Sequence, residues 1–298
     1  MTKWLPDVAP DDRTVDVAAR ALANRLDTVR YYLKQVARTG DVEDIHQLRV
    51  WSRRADAALS LYSELLAPRE YQWFRKWLKR LRSGAGAVRD CDVFAQYVAE
   101  SKQRWSAKLR AERRRGMKKI RGLFERLDEG RRLKRRTRQL VKCLAAEGAG
   151  SARFGDFARA KLAPLLATFF AADPSGTADD RAIHQFRILG KELRYAMELL
   201  ASAFSPQFQG ELYSQIGALQ ERLGHINDLS TAEVRLNEML AATGKPNKVS
   251  ILRRHLTETT EELSRARAEF RRWWTPDMHA SLHAQFATFL QAPQQMVA

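Results

Sequence analysis

Apolar residues return along this chain at three- and four-residue steps. Leu22, Leu26, Val29, Leu33 and Val36 form one stripe, Ile45, Leu48, Trp51, Ala55 and Leu59 a second, and Phe74, Leu78 and Leu81 a third. That spacing is the signature of amphipathic helices, each with one face turned to a core. The pattern from Asp44 to Leu66 stops short of Pro68, which suits a helix end or the first turn of the next helix. No stretch joins period-two alternation to hairpin turn residues, so strands are not expected. Segments near 148–156, 172–180 and 241–248 are rich in Gly, Pro or Ser and read as breaks. The expected fold class is therefore all-α, built as antiparallel helical bundles: one domain over 10–290, with an N-terminal half 10–150 and a C-terminal half 151–290.

Within that pattern one segment occurs twice. IHQLRVWSRR begins at Ile45 and IHQFRILGKE at Ile183, which places His184 138 positions after His46. Arg89-Asp90 and Asn227-Asp228 keep the same separation. The duplication predicts two related halves with a pseudo-twofold axis. On a helix, His184, Arg187, Lys191 and Arg194 share one face, and so do His46, Arg49 and Arg53, with Arg54 beside them and Asp56 in the fourth place. Stacked cations on one face repel, and an anion lying along them reverses the cost. Arg75, Lys79 and Arg82 repeat the theme opposite the Phe74 stripe. Arg89-Asp90 is expected at a helix start, with Asp90 and its counterpart Asp228 as caps.

Charge sharpens the picture. Lys and Arg outnumber Asp and Glu by 52 to 35, a net +17, which directs the chain toward a polyanion: polyphosphate, nucleic acid or an anionic surface. A further basic stretch, from about Ser101 to Lys142, interleaves Leu109, Ile120, Leu123, Phe124 and Leu127 with cations and reads as amphipathic helix in a solvated or auxiliary role. Cys91 and Cys143 fit neither a disulfide framework nor a metal site, and a reducing, cytoplasmic setting is the expectation. The N-terminal residues lack a signal-type apolar core, and no apolar run approaches the ~18 residues of a membrane span. His279 and His283 have metal-compatible spacing without a third ligand nearby, so no metal or other cofactor is expected. Trp51, Trp73 and Trp77 read as packing residues rather than base-stacking platforms.

The pattern H-x-x-R-[VI]-x-x-[RK], followed about 44 residues later by R-D or N-D, resembles the CHAD family of α-helical domains with conserved histidines. The resemblance runs over roughly residues 10–290. It implies paired helical bundles with a basic groove or pore, non-catalytic binding of inorganic polyphosphate, and, for some members, association with polyphosphate or polyhydroxybutyrate granules. The implicated residues are His46, Arg49, Arg53, Arg54, Lys79, Arg82 and Arg89 in the first half, and His184, Arg187, Lys191 and Arg194 in the second. The sequence departs from the family pattern at Asp56, at Glu192 (opposite Arg54) and at Asn227 (opposite Arg89), which predicts a less basic second-half rim. The E-x-E-x-K signature of a fused triphosphate-tunnel domain is absent, so the chain looks like a stand-alone binding module. The alternative is a nucleic-acid-binding protein using the same cations, although no zinc-finger, RNA-binding aromatic or helix-turn-helix signature accompanies them. A phosphohydrolase would want clustered carboxylates or His ligands, which the motif helices do not offer.

Overall fold

The computed structural model describes residues 2–99, 107–128, 131–146, 152–175, 180–242 and 246–291. Among them it has ten α-helices and no strand. They fall into two compact units, Met1–Ala158 and Arg159–Ala298. The breaks expected from sequence lie at helix ends, their centres at 148–151, 176–179 and 243–245 being outside the described residues, as is the start of the basic stretch at 101–106.

In the first unit, α1 (Thr14–Thr39) buries the predicted stripe Leu22, Leu26, Val29, Leu33 and Val36. Gly40, at φ +67°, ends it; the Gly40 N–H donates to Val36 O at 2.9 Å, a left-handed stop that costs a glycine little. One residue later Asp41 caps α2 (Val42–Leu61), its side chain accepting from Glu43 N at 2.8 Å and Asp44 N at 3.1 Å. Ile45, Leu48, Trp51, Ala55 and Leu59 face the core from α2. Pro68 is the first residue of α3 (Pro68–Ala99), where its missing N–H has no partner to lose.

The Arg89-Asp90 pair does not start a helix, nor does Asn227-Asp228. Both lie in helix interiors, in α3 and in α8 (Tyr213–Ala241). The glycines of this region serve tertiary packing within continuous helices. A Cβ on Gly84 would stand 3.4 Å from Ile120 Cγ1 of α4 (Ala107–Asp128), and a Cβ on Gly116 would overlap Val88 Cγ2. Close approach of α3 and α4 outweighs the roughly 1 kcal/mol that each helical glycine costs.

The basic stretch is helical, as α4 and α5 (Arg132–Ala146), and buries Leu109, Ile120, Leu123 and Leu127, with Phe124 partly covered. Some of its arginines are structural. Arg113 donates to Asp92, whose side chain is 1% exposed, at 2.7 Å and to Gly40 O at 2.8 Å. Arg121 donates to Ala37 O at 3.1 Å. Arg136 meets Glu70 at 3.0 Å and lies 4.3 Å over the Trp73 ring. Its other cations, Arg131, Lys134, Arg135, Arg138 and Lys142, line an open concavity along α5 with no carboxylate partner among the described residues.

Helix α6 (Phe154–Ala171) follows, and α7 (Asp180–Leu200), α8, α9 (Pro246–Trp273) and α10 (Pro276–Gln291) build the second unit. Its core centres on aromatics: Phe169 stacks on Phe186 with centroids 4.6 Å apart, and Phe170 meets Phe286 at 6.0 Å. His279 and His283 belong to this packing. Both stand edge-on to Phe170, at 5.2 and 4.7 Å, and His279 Nε2 lies 3.2 Å from Phe170 O.

Candidate anion-binding faces

In the first unit α2 and α3 present the first motif. Apolar residues at Ile45, Leu48 and Trp51 anchor α2 in the core, so the helical period turns His46, Arg49 and Arg53 outward, each half-buried. Arg49 crosses to α3: its Nη1 lies 3.3 Å from Asp90 Oδ1, and a Cβ on Gly86 would stand only 3.1 Å from the same nitrogen. Gly86 thus gives the guanidinium its path over α3. Burial pushes the His46 pKa below the usual histidine value. The positive charges of Arg89, Arg49 and Arg53 act in the same direction, against a smaller opposing effect of Glu43. His46 is therefore a neutral imidazole surrounded by cations. It can donate to an anion from one nitrogen and takes a proton readily once negative charge arrives.

From α3, Lys79 is exposed and Arg82 and Arg89 are half-buried. Asp56, which sequence reading left as an anomaly in a basic row, is the counterion of α3. Its Oδ2 is 2.7 Å from Arg82 Nη1 and its Oδ1 is 3.5 Å from Arg75 Nε. Arg75 is also held by Tyr71, at 3.0 Å from the hydroxyl. Arg54 stands apart from the other predicted residues. It is 8% exposed, with its guanidinium 4.7 Å over the Trp51 ring, and it belongs to the packing beneath the face. The Arg54/Glu192 difference therefore removes no exposed cation from the second unit; Glu192 itself is exposed.

In the second unit α7 carries the other motif. Ile183, Phe186, Gly190, Leu193 and Met197 face the core, and the adjoining stripe is exposed His184 with half-buried Arg187, Lys191 and Arg194. Arg194 lies 5.6 Å from the Tyr213 ring of α8, and Tyr213 in turn donates to Glu198 at 2.8 Å. Asn227 sits beside Asp228 on α8, its Nδ2 3.4 Å from Oδ1.

Sequence reading missed Gly86, Gly190 and Gln220. Gln220 is 5% exposed at the α7–α8 seam, where a Cβ on Gly190 would overlap its Nε2. The available signal was the 138-residue offset, which sets Gln220 against Arg82, Tyr213 against Arg75 and Arg194 against Asp56. Among the described residues no three His, Cys, Asp or Glu side chains gather as metal ligands would, and no helix is long and apolar enough to cross a membrane.

No curated protein matches this sequence. Several solved chains share the fold. The crystal structure of the CHAD domain from the plant Ricinus communis is 23% identical, covers 93% of this chain and 94% of its own, and superposes with a TM-score of 0.70. PptA from Streptomyces chartreusis is 17% identical, with 88% of this chain and 99% of its own covered at a TM-score of 0.52. The model of the CHAD domain family itself matches residues 20–237, a span that holds both His-x-x-Arg motifs and both seams, and the chain belongs to that family.

Proposed function

We propose that this protein binds inorganic polyphosphate without altering it, through the His/Arg/Lys faces of α2–α3 and α7–α8. The observation that carries the reading is the repeated row of partly exposed cations on α2 and again on α7, each opened by a histidine and each backed by a mainly apolar buried face. Regularly spaced phosphates, each with about one negative charge, suit such a row, and arginine grips their oxygens two at a time. CHAD domains are a family known among polyphosphate-binding proteins, which agrees with it. The nearby carboxylates are engaged by arginines, Asp56 with Arg82 and Arg75 and Asp90 with Arg49, which favours a binding role over a hydrolytic one. Chain binding of this kind would also bring the protein to polyphosphate-rich granules.

A competition experiment tests the reading. Long-chain polyphosphate should displace labelled tripolyphosphate at far lower phosphate concentration than duplex DNA or heparin, and affinity should grow with chain length until the faces are filled. Equal displacement by DNA would favour the nucleic-acid alternative, and equal affinity for orthophosphate and long chains would rule out a row of subsites. Phosphate release in the presence of added Mg²⁺ or Mn²⁺ would contradict a purely binding role.

His46 gives the binding a pH signature. Burial and the neighbouring arginines keep His46 neutral, and bound phosphates oppose both, so complex formation takes up a proton and affinity rises as pH falls from about 7.5 toward 6. In the free protein the sign is opposite. The unfolded chain protonates first, so acidification through the ordinary histidine range costs stability until His46 itself titrates. His46→Gln should flatten the affinity rise by calorimetry in buffers of different ionisation heat. An unchanged proton uptake would remove His46 from the site.

A further inference from the structure

Gln220 is a buried amide on the α8 side of the α7–α8 seam, among mostly apolar side chains. It is 5% exposed, and neither its Oε1 nor its Nε2 has a hydrogen-bond partner among the described residues. A buried amide left without partners typically costs ~1–3 kcal/mol, so a position like this is held for something that satisfies it. The amide lies over Gly190, at the margin where the core face of α7 gives way to the basic stripe, one turn from Arg187 on one side and Arg194 on the other. Gly190 leaves the space, since any Cβ there would occupy the place of the amide nitrogen. Arg194 is the second donor of the seam. Its Nε is buried without a hydrogen bond, and its guanidinium rests over Tyr213, two turns before Gln220 on the same helix.

The first unit shows what the second lacks. At the positions 138 residues earlier, Asp56 Oδ2 stands 2.7 Å from Arg82 Nη1, a carboxylate already neutralising the guanidinium. In the second unit those places hold Arg194 and Gln220, two groups that both offer N–H and that no carboxylate joins among the described residues. A phosphoryl oxygen accepts from N–H groups of both kinds, and Gln220 Oε1 is then left to accept from a water.

We propose that Gln220 and Arg194, flanked by Arg187 and admitted by Gly190, form an oxygen-specific phosphate subsite in the second unit, a place that the Asp56–Arg82 pair closes in the first. The inference rests on the polyphosphate reading above. It adds that the two units differ: both attract phosphate by charge, and the α7–α8 seam adds a neutral hydrogen-bond donor that the α2–α3 seam replaces with an arginine.

The test is the affinity of the full chain for tripolyphosphate and long-chain polyphosphate as a function of salt, for wild type, Gln220→Leu and Arg194→Ala. Gln220→Leu should weaken binding about tenfold with the salt slope unchanged, because a neutral donor displaces no counterion. Arg194→Ala should weaken binding and also lower the slope by about one. Wild-type affinity in Gln220→Leu overturns the subsite while leaving polyphosphate binding standing; wild type that fails to bind polyphosphate overturns both. Should Gln220→Leu not fold, the Gln220 side-chain amide resonance of the wild type decides. It shifts on titration with tripolyphosphate if the subsite is real, and an unmoved resonance overturns it.

Discussion

The affinity of this protein for long-chain polyphosphate should fall on the order of a thousandfold between about 50 and 200 mM salt, the largest change expected from any single manipulation. The reasoning is counterion release. If roughly six to eight phosphates are neutralised along the two faces, the logarithm of the binding constant drops with a slope of about −4 to −6 against log salt, using the single-strand coefficient. The candidate cations support a number of that size: Arg49, Arg53, Lys79, Arg82 and Arg89 on one unit and Arg187, Lys191 and Arg194 on the other are all exposed or half-buried. Arg82 counts for less than the rest because Asp56 already neutralises part of it. A slope near −1 would mean that only one or two subsites are used and would sink the picture of extended faces.

The second large effect is the joint loss of Arg49 and Arg187. Each leads its motif three residues after the histidine, and each lies on the exposed side of its helix where a fork can reach two phosphate oxygens. A charged hydrogen bond is worth about 1.5–3 kcal/mol, discounted here because both side chains are partly solvated. Arg49→Ala and Arg187→Ala should each weaken polyphosphate binding roughly tenfold, and together about a hundredfold by equilibrium dialysis at low salt. Loss of Arg49 leaves Asp90 with 53% of its side chain exposed to water, so a folding defect is not the expected source of the change. Arg49→Lys and Arg187→Lys should fall in between, since they keep the charge and lose the fork. Wild-type affinity in the double variant would move the binding site off the two motifs.

The helical stripes were legible in the sequence because burial leaves a periodic record: Leu22 to Val36, Ile45 to Leu59 and Phe74 to Leu81 all face the core where spacing placed them. The motif faces follow from the same geometry, since fixing the apolar side of α2 or α7 fixes where its cations point. What could not be read was pairing between helices. Asp56 looks like a defect along α2 and becomes intelligible only against Arg75 and Arg82 of α3. Arg54 looks like a surface cation until Trp51 is seen to lie 4.7 Å beneath it. Arg89-Asp90 reads locally as a helix start, whereas α3 runs through it, with Gly84 and Gly86 lying close to Ile120 and Arg49, partners distant in sequence.

Gly40 carries a consequence for the order of folding. Its left-handed turn closes α1, its carbonyl receives Arg113, and Met117 of α4 lies against it, 3.2 Å from where a side chain would begin. The receiving surface therefore exists only after the α1–α2 corner has formed. That corner is local in sequence and cheap to close, whereas the contact with Arg113 spans 73 residues. The α1–α2 hairpin should accordingly be built in the transition state and α4 should latch afterwards. Met117→Ala should then speed unfolding with little change in refolding rate, while Leu26→Ala should slow refolding. The reverse partition would place the latch before the corner.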